Sequence, residues 1–271
     1  MNGLEALLLG ILQGLTEYLP ISSSGHLMIG KALFGIEPQG ASFEIVVHAA
    51  TVLSTITVFR KEIIKLLRGA FCLRYNEENR YLLMLVLSML PILVVGFLFK
   101  SQVEALFGFG LALVGSTLLI TAILLIVAQA LPSKEATLEK KEVYNITYRD
   151  ALIMGLAQAV AVFPGLSRSG ATISTGLLLG KDRSAVAKFS FLMVLAPILG
   201  EASLDLLYGG FAPQASGISN LSLLIGFLAA YLSGLVACGW MVSLIKRAKL
   251  WGFALYCTFA GGGCLLYTFL H

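Results

Sequence analysis

The sequence predicts an all-α polytopic membrane protein built from an inverted-topology repeat. Of its 271 residues, 58% are hydrophobic and only 13% are charged, and the mean hydropathy is +0.88. Soluble domains carry about 25% charged residues, so a soluble protein is excluded. Because a helix needs ~20 apolar residues to cross a hydrocarbon core of about 30 Å, the long apolar runs indicate several transmembrane helices.

An internal repeat is the third observation. Residues 5–35 and 150–180 align without a gap at an offset of 145, and nine of the 31 aligned pairs are identical. In each copy an apolar helix runs into a turn rich in serine and glycine, followed by a second apolar helix. Broken helices of this kind line cavities in membrane proteins built from repeats. We therefore predict two helical hairpins, 4–35 and 150–180, whose tips meet near the middle of the membrane.

The remaining apolar runs predict three transmembrane helices in each half of the chain. The first repeat is predicted to cover 1–131 and the second 150–271. Residues 132–149 carry charge runs without apolar periodicity, so they are predicted to form a cytoplasmic linker. The six predicted spans lie near 45–59, 81–99, 109–131, 186–207, 221–245 and 251–270.

Basic residues predict the orientation of these spans. Segments 60–80, 132–149 and 246–249 contain six, four and three Lys or Arg residues, whereas 100–108 and 208–220 contain one and none. The positive-inside rule places the basic segments in the cytoplasm. The first hairpin then begins and ends outside, and the second begins and ends inside. Arms of about 12–15 residues are too short for comfortable crossings, so both hairpins are predicted to be re-entrant. The alternative is two full crossings in each hairpin.

The tip of the first hairpin carries a carboxylate, hydroxyls and an imidazole. Gln13 and Glu17 are four residues apart and share one helix face, and Ser22, Ser23 and His26 follow a proline that ends the helix. An ionisable side chain at membrane depth costs about 2.5–3.5 kcal/mol, so Glu17 is predicted to be functional. A protonated carboxyl hydrogen-bonded between helices is its alternative. His26 is a candidate base, acid or nucleophile, or else a core histidine.

The tip of the second hairpin is predicted to bind an anion. Arg168 lies among small and hydroxyl-bearing residues, Ser167, Ser169, Gly170 and Thr172, at the start of an apolar helix. A helix N-terminus offers free N–H groups and partial positive charge, and a guanidinium offers a bidentate fork. Phosphate is the anion that fits this site best. An ion pair with the carboxylate of the first tip is the alternative for the arginine.

The two tips together suit phosphoryl transfer on a lipid substrate. The arginine and the helix N-terminus would stabilise charge on phosphate oxygens while a serine or histidine attacks. Two further pairs at i, i+4 spacing, Glu44 with His48 and Glu201 with Asp205, are more often solvated caps than substrate ligands. The basic residues cluster in loops without interleaved aromatic residues, which argues against nucleic acid as a partner.

Both tips resemble the signatures of the bacterial undecaprenyl pyrophosphate phosphatases of the bacitracin-resistance family. The family's (Glu/Gln)-x-x-x-Glu motif and its Pro-x-Ser-Ser-x-Gly-His motif appear here as 13–17 and 20–26. Its Pro-Gly-x-Ser-Arg-Ser-x-x-Thr motif appears as 164–172. The resemblance extends over essentially the whole chain.

The resemblance implies an enzyme that hydrolyses undecaprenyl (C55 polyprenyl) pyrophosphate to undecaprenyl phosphate and inorganic phosphate. This reaction recycles the lipid carrier for peptidoglycan synthesis and confers resistance to bacitracin. The enzyme is expected in the bacterial inner (cytoplasmic) membrane, with its active site facing the periplasm or the cell exterior. A divalent cation, Mg²⁺ or Ca²⁺, is expected as cofactor.

Carried over residue by residue, the resemblance implies roles for both tips. The expected catalytic residues are Glu17, Ser23, His26 and Arg168. The expected phosphate-binding residues are Ser22, Ser167, Arg168, Ser169, Gly170 and Thr172. Gln13 and Glu17 are the tentative metal ligands, and Gln13 stands where some members carry a second glutamate. Ser23 is the expected nucleophile, with His26 as the alternative.

Other functions remain open at this point. Inverted repeats with broken helices are also the architecture of secondary transporters, so a lipid-phosphate flippase or a small-anion transporter is the alternative function. A phosphotransferase would use the same site with a different acceptor. Three consecutive glycines, 261–263, permit close helix contact in the last span, so a homodimer is one expectation.

Overall fold

The structure is a computed structural model that describes residues 1–36, 42–71, 76–130, 146–207, 217–247 and 249–270. Within these ranges every regular element is helical. Most of the predicted linker 132–149 lies outside the described residues, as do the side chains of Glu201 and Asp205.

Thirteen α-helices occur in the described part of the chain, and a short 3₁₀ turn, Phe107–Phe109, precedes the seventh. In chain order they are α1 Gly3–Thr16, α2 Ser23–Leu33, α3 Ser42–Val58, α4 Arg60–Ala70, α5 Glu77–Leu98, α6 Lys100–Leu106, α7 Gly110–Ala130, α8 Tyr148–Val160, α9 Arg168–Leu178, α10 Arg183–Met193, α11 Leu195–Leu207, α12 Asn220–Arg247 and α13 Trp251–Leu270.

Five helical stretches of the described residues are long and apolar enough to cross a membrane: Glu77–Leu98, Lys100–Ala130, Arg183–Gly200, Asn220–Met241 and Trp251–Leu270. Helices α3 and α4 pass the same test together, although they are bent by 78° where they join. The prediction of an all-α polytopic membrane protein is therefore confirmed.

Two short helices, α4 and α6, occupy segments for which the charges predicted only the side of the membrane. In α4 the residues Leu66 and Gly69 are buried, whereas Ile64 and Leu67 are exposed beside basic side chains. A helix with apolar and basic sectors suits the interface between lipid tails and headgroups. Arg60, Lys61, Lys65 and Arg68 therefore lie on a helix.

Each predicted hairpin consists of two helices joined by a short turn. The arms α1, α2, α8 and α9 contain 14, 11, 13 and 11 residues. Each is shorter than the ~20 residues of a full crossing. The first arm begins with a capping box in both hairpins, formed by Asn2 with Glu5 in α1 and by Thr147 with Asp150 in α8. The aligned sequences thus start their helices in the same way.

The first arm of each hairpin packs along a helix of the other half of the chain, α1 along α12 and α8 along α5. Glycine permits both approaches. A Cβ atom at Gly10 would lie 2.4 Å from the carbonyl oxygen of Gly226, and one at Gly155 would lie 2.4 Å from that of Ser88. Gly10 and Gly155 are aligned positions of the repeat, so the two halves use the same kind of contact. The inverted orientation of the repeats remains a prediction.

Helices α7 and α13 pack along each other, and α7 also contacts α2 and α9, the second arms of the two hairpins. The two helices approach each other closely at Gly115 and Gly261, where a Cβ on either residue would lie within 2.8 Å of the other residue's carbonyl oxygen. Apolar side chains around this contact, including Val114, Leu118 and Cys257, are buried together with Ile21 of the first tip.

The close contact at Gly155 predicts that Gly155→Ala destabilises the protein. The added methyl group would meet the backbone of α5 and not a flexible side chain, and such overpacking costs about 1–3 kcal/mol. The melting temperature of the purified variant in detergent is expected to fall.

Gly96→Ala is the matched control, because Gly96 lies in α5 with nothing within 4 Å of an added Cβ. Equal melting temperatures for the two variants would contradict the packing of α8 on α5.

Candidate active site

The tips of the two hairpins are in direct contact. A Cβ atom at Gly25 in the first tip would lie 2.9 Å from Cα of Gly165 in the second. Across the same contact, Nη2 of Arg168 donates a hydrogen bond to Oε1 of Glu17 at 2.9 Å. The charged groups of the two tips therefore belong to one site.

The second helix of each hairpin begins with the same serine cap. The Oγ of Ser22 accepts a hydrogen bond from the backbone N–H of Gly25 at 3.2 Å, and the Oγ of Ser167 accepts one from Gly170 at 3.0 Å. These are aligned positions of the repeat. Ser22 is also the one non-glycine residue among the described ones with a positive φ, 70°. A left-handed conformation is costly for serine, so its neighbours must hold this turn in place.

Glu17 is the centre of the site. Its Oε2 accepts hydrogen bonds from Oγ of Ser23 at 2.5 Å and from Nε2 of Gln13 at 2.7 Å. Nε2 of His48, on α3, lies 3.6 Å from the same oxygen. The side chain of Glu17 is 10% exposed and that of Arg168 is 28% exposed. The carboxylate is thus enclosed by donors, while the guanidinium keeps access to the space between the tips.

The second tip is held by threonines of α7. Oγ1 of Thr117 donates to the carbonyl oxygen of Pro164 at 2.5 Å. The backbone N–H of Ser167 donates to Oγ1 of Thr121 at 3.0 Å. These contacts fix the turn that ends at the N-terminus of α9 and carries Arg168. The backbone N–H groups of this helix start therefore have a defined position beside the guanidinium.

The first tip is held by α3 and by the second tip. Oη of Tyr18, the residue after Glu17, donates to the carbonyl oxygen of Thr51 at 2.6 Å. Oγ of Ser169 donates to the carbonyl oxygen of Leu19 at 3.1 Å. Ser169 thus joins the two tips a second time, in addition to the pair of Arg168 with Glu17.

Two predicted site residues direct their polar groups elsewhere. Thr172 is 1% exposed, and its hydroxyl bonds to the carbonyl oxygen of Arg168 and, at 2.6 Å, to the hydroxyl of Ser190. His26 is 5% exposed, and its ring contacts the carbonyl oxygen of Ser22 and the hydroxyl of Tyr256, both at 2.7 Å. The hydroxyl of Thr172 therefore connects the first turn of α9 to α10.

His48 enters the site although the motifs do not contain it. Its Nδ1 lies 2.7 Å from the carbonyl oxygen of Glu44, and Lys31 forms an ion pair with the carboxylate of Glu44. Because a carbonyl oxygen only accepts, Nδ1 carries a hydrogen and Nε2 faces Glu17. The i, i+4 spacing of Glu44 and His48 was the available sequence signal, but it did not indicate which helix they face.

The side-chain oxygens of Gln13 and Glu17 fit a divalent cation that is bound partly by these residues and partly by the substrate of the enzyme. No group of three His, Cys, Asp or Glu side chains that would form a full cage occurs among the described residues. Oε1 of Gln13, however, is buried without a hydrogen-bond partner. Mg²⁺ is commonly bound by one or two carboxylates together with substrate phosphates and water. Glu17 provides a carboxylate of this kind beside the hydroxyl of Ser23, and Gln13 provides a neutral amide oxygen.

Comparison with known proteins gives a consistent result. The family described as Bacitracin resistance protein BacA matches residues 6–263. A protein named undecaprenyl-diphosphatase from Bacteroides fragilis (strain YCH46) is 54% identical over 264 residues, which cover 96% of each chain. Proteins of the same name from Parabacteroides distasonis and Christiangramia forsetii are 54% and 46% identical, covering 96% and 99% of this chain and the same shares of their own.

The role of α7 predicts that Thr121→Val lowers activity more than it lowers stability. Valine has a similar shape, but it leaves the backbone N–H of Ser167 without its acceptor, which costs about 1–3 kcal/mol at a buried position. The second tip should then hold Arg168 less precisely. The measurement is the rate of phosphate release from a polyprenyl diphosphate, together with the melting temperature.

Ser116→Ala, on the same helix, is the control, because the hydroxyl of Ser116 is exposed and bonds within α7. A Thr121→Val protein with the activity of this control would show that the threonine contact is dispensable.

Proposed function

The chain belongs to the BacA family of bacitracin resistance proteins, and we propose that it hydrolyses undecaprenyl diphosphate to undecaprenyl phosphate and inorganic phosphate. The observation that carries this function is the carboxylate of Glu17, which accepts hydrogen bonds from Ser23 of one tip and Arg168 of the other. A nucleophile, a base and a phosphate-binding cation are thereby joined in a multi-pass membrane protein. These are the groups that a lipid phosphatase requires.

Ser23 is the attacking group in this proposal. Its Oγ–H proton passes to Glu17, whose Oε2 lies 2.5 Å away, as Oγ forms a bond to the terminal phosphorus. The bond from that phosphorus to the bridging oxygen breaks, and undecaprenyl phosphate leaves. Water then hydrolyses the phosphoserine, which releases inorganic phosphate and restores the serine. His26 is less suited to attack, because both of its ring nitrogens already have partners.

Arg168 and the N-terminus of α9 bind the phosphate groups. When the diphosphate enters, the guanidinium exchanges part of its contact with Glu17 for phosphate oxygens, which it can grip bidentately. The backbone N–H groups of Arg168 and Ser169, the first two residues of α9, supply further donors, whereas that of Gly170 bonds to Ser167. These donors are fixed before the reaction by the contacts of α7, so they stabilise developing charge without reorganising.

Gln13 and Glu17 would hold a divalent cation, Mg²⁺ or Ca²⁺, together with phosphate oxygens of the substrate. When bound, such an ion neutralises charge on the phosphates. The amide at position 13 contributes no negative charge, so the substrate itself must complete the ion's ligands. His48 lies next to Glu17 Oε2, with its Nε2 3.6 Å away.

We place the enzyme in the inner membrane of the cell, with the site open to the outer face. The basic segments on the other side of the spans support this orientation. The isoprenoid tail would lie between spans, while the diphosphate lies between the tips. Transport through the same repeat would not require a serine bonded to a buried carboxylate, so hydrolysis is the function that this chemistry favours over carriage.

The proposal predicts that purified protein in detergent releases phosphate from a long polyprenyl diphosphate and that EDTA stops the release. Arg168→Ala should lower the rate by at least about 100-fold, because it removes the charge that stabilises the transition state. Glu17→Gln should have a similar effect, since it keeps the shape of the side chain and removes the proton acceptor.

Arg183→Ala is the control for the loss of an arginine, since Arg183, at the start of α10, donates to Gln129 of α7. An Arg168→Ala protein that is folded and fully active would refute the assignment of the site. A folded wild-type protein without any phosphate release would refute the activity.

A further inference from the structure

The ring of His26 is held from two sides by residues that are far apart in the sequence. Its Nδ1 contacts the carbonyl oxygen of Ser22, and its Nε2 contacts Oη of Tyr256, each at 2.7 Å. The rings of His26 and Tyr256 are stacked, with centroids 5.5 Å apart and planes inclined by 15°. Tyr256 belongs to α13, and neither signature motif includes it.

The chemistry of these contacts assigns the hydrogens. The carbonyl oxygen of Ser22 only accepts, so Nδ1 of His26 carries a hydrogen. The lone pair of the neutral ring is then on Nε2, and the hydroxyl of Tyr256 donates to it. If the ring gains a proton, Nε2–H donates to the tyrosine oxygen in return. The hydroxyl of Tyr256 therefore restrains the ring in both protonation states.

The restrained ring supports the turn that presents the nucleophile. Ser22 has a positive φ of 70° and directly precedes Ser23. Such a conformation persists only where the surrounding structure over-determines it. The carbonyl oxygen of Ser22 accepts two hydrogen bonds from His26, one from the ring Nδ1–H and one from the backbone N–H. The position of the imidazole thus determines the orientation of the Ser22 peptide group.

We infer that Tyr256 is a positioning residue of the reaction and acts through His26. Its hydroxyl holds the imidazole against the carbonyl group of Ser22. The turn then keeps the hydroxyl of Ser23 directed at the carboxylate of Glu17. This inference rests on the proposed phosphatase function and adds a residue from the last helix to the site. It also gives His26 a role in orientation that does not require it to attack phosphorus.

The test is Tyr256→Phe, which keeps the stacked ring and removes only the hydroxyl. We expect kcat for phosphate release to fall about tenfold, the size of effect that coupled neighbours typically show. KM should stay unchanged, because the tyrosine does not touch the phosphates. Tyr267→Phe, the same change elsewhere on α13, is the control and should have the wild-type kcat.

A second measurement reads the contact itself and does not depend on activity. The chain has three histidines, so ¹⁵N-histidine labelling gives few ring signals to assign. Wild-type His26 should show the Nδ1–H tautomer with a hydrogen-bonded Nε2. Tyr256→Phe should shift the Nε2 signal of His26 and leave that of His48 in place, and Tyr267→Phe should shift neither.

Each outcome decides the inference. A lower kcat together with the shift at His26 supports it. An unshifted His26 signal in Tyr256→Phe overturns the contact, and a wild-type kcat, or a change confined to KM, overturns the positioning role. A wild-type protein that releases no phosphate would instead overturn the proposed function, so the two failures are distinguishable.

Discussion

The hydrogen-bonded carboxylate of Glu17 is the constraint on which the rest of the site depends. Burying a charged carboxylate among apolar helices is costly unless donors and a cation surround it. Its own hairpin supplies Ser23 and Gln13, and the opposite hairpin supplies Arg168. Neither hairpin alone meets the requirement. The helix breaks, the serine caps and the glycine contacts with neighbouring helices together bring these groups to one point.

The two hairpins of the repeat share the same backbone features but carry different side chains at their tips. The capping serines and the following glycines are retained at aligned positions, so both tips present a helix N-terminus to the same space. The chemistry differs, because Glu17 aligns with Val162 and Arg168 aligns with Ser23. One copy therefore carries the carboxylate of Glu17 and the hydroxyl of Ser23, while the other carries the guanidinium of Arg168. A duplicated hairpin with diverged tips is sufficient to build an asymmetric site.

The ion pair of Arg168 with Glu17 was only the alternative interpretation of the arginine. Local patterns in the sequence predicted the helical class and the broken helix at each tip, because apolar runs, breaks and motifs are local signals. They did not predict that His48 approaches Glu17 or that Tyr256 holds His26. Such contacts depend on which helix faces which, and the periodicity of a single helix does not contain that information. The contact of the Thr172 hydroxyl with Ser190 of α10 was not predicted either, while its role as a phosphate ligand stays a prediction.

The mechanism proposed for the site depends on activation of Ser23 by Glu17 for attack on the terminal phosphorus. The most direct measurement is acid quenching of wild-type protein during turnover of a polyprenyl diphosphate labelled at its terminal phosphate, followed by mass spectrometric mapping of the label. We expect acid-stable phosphoserine at Ser23 in the wild-type protein and none in Glu17→Gln. Label on His26 after an alkaline quench, or turnover in which no residue becomes labelled, would contradict this mechanism.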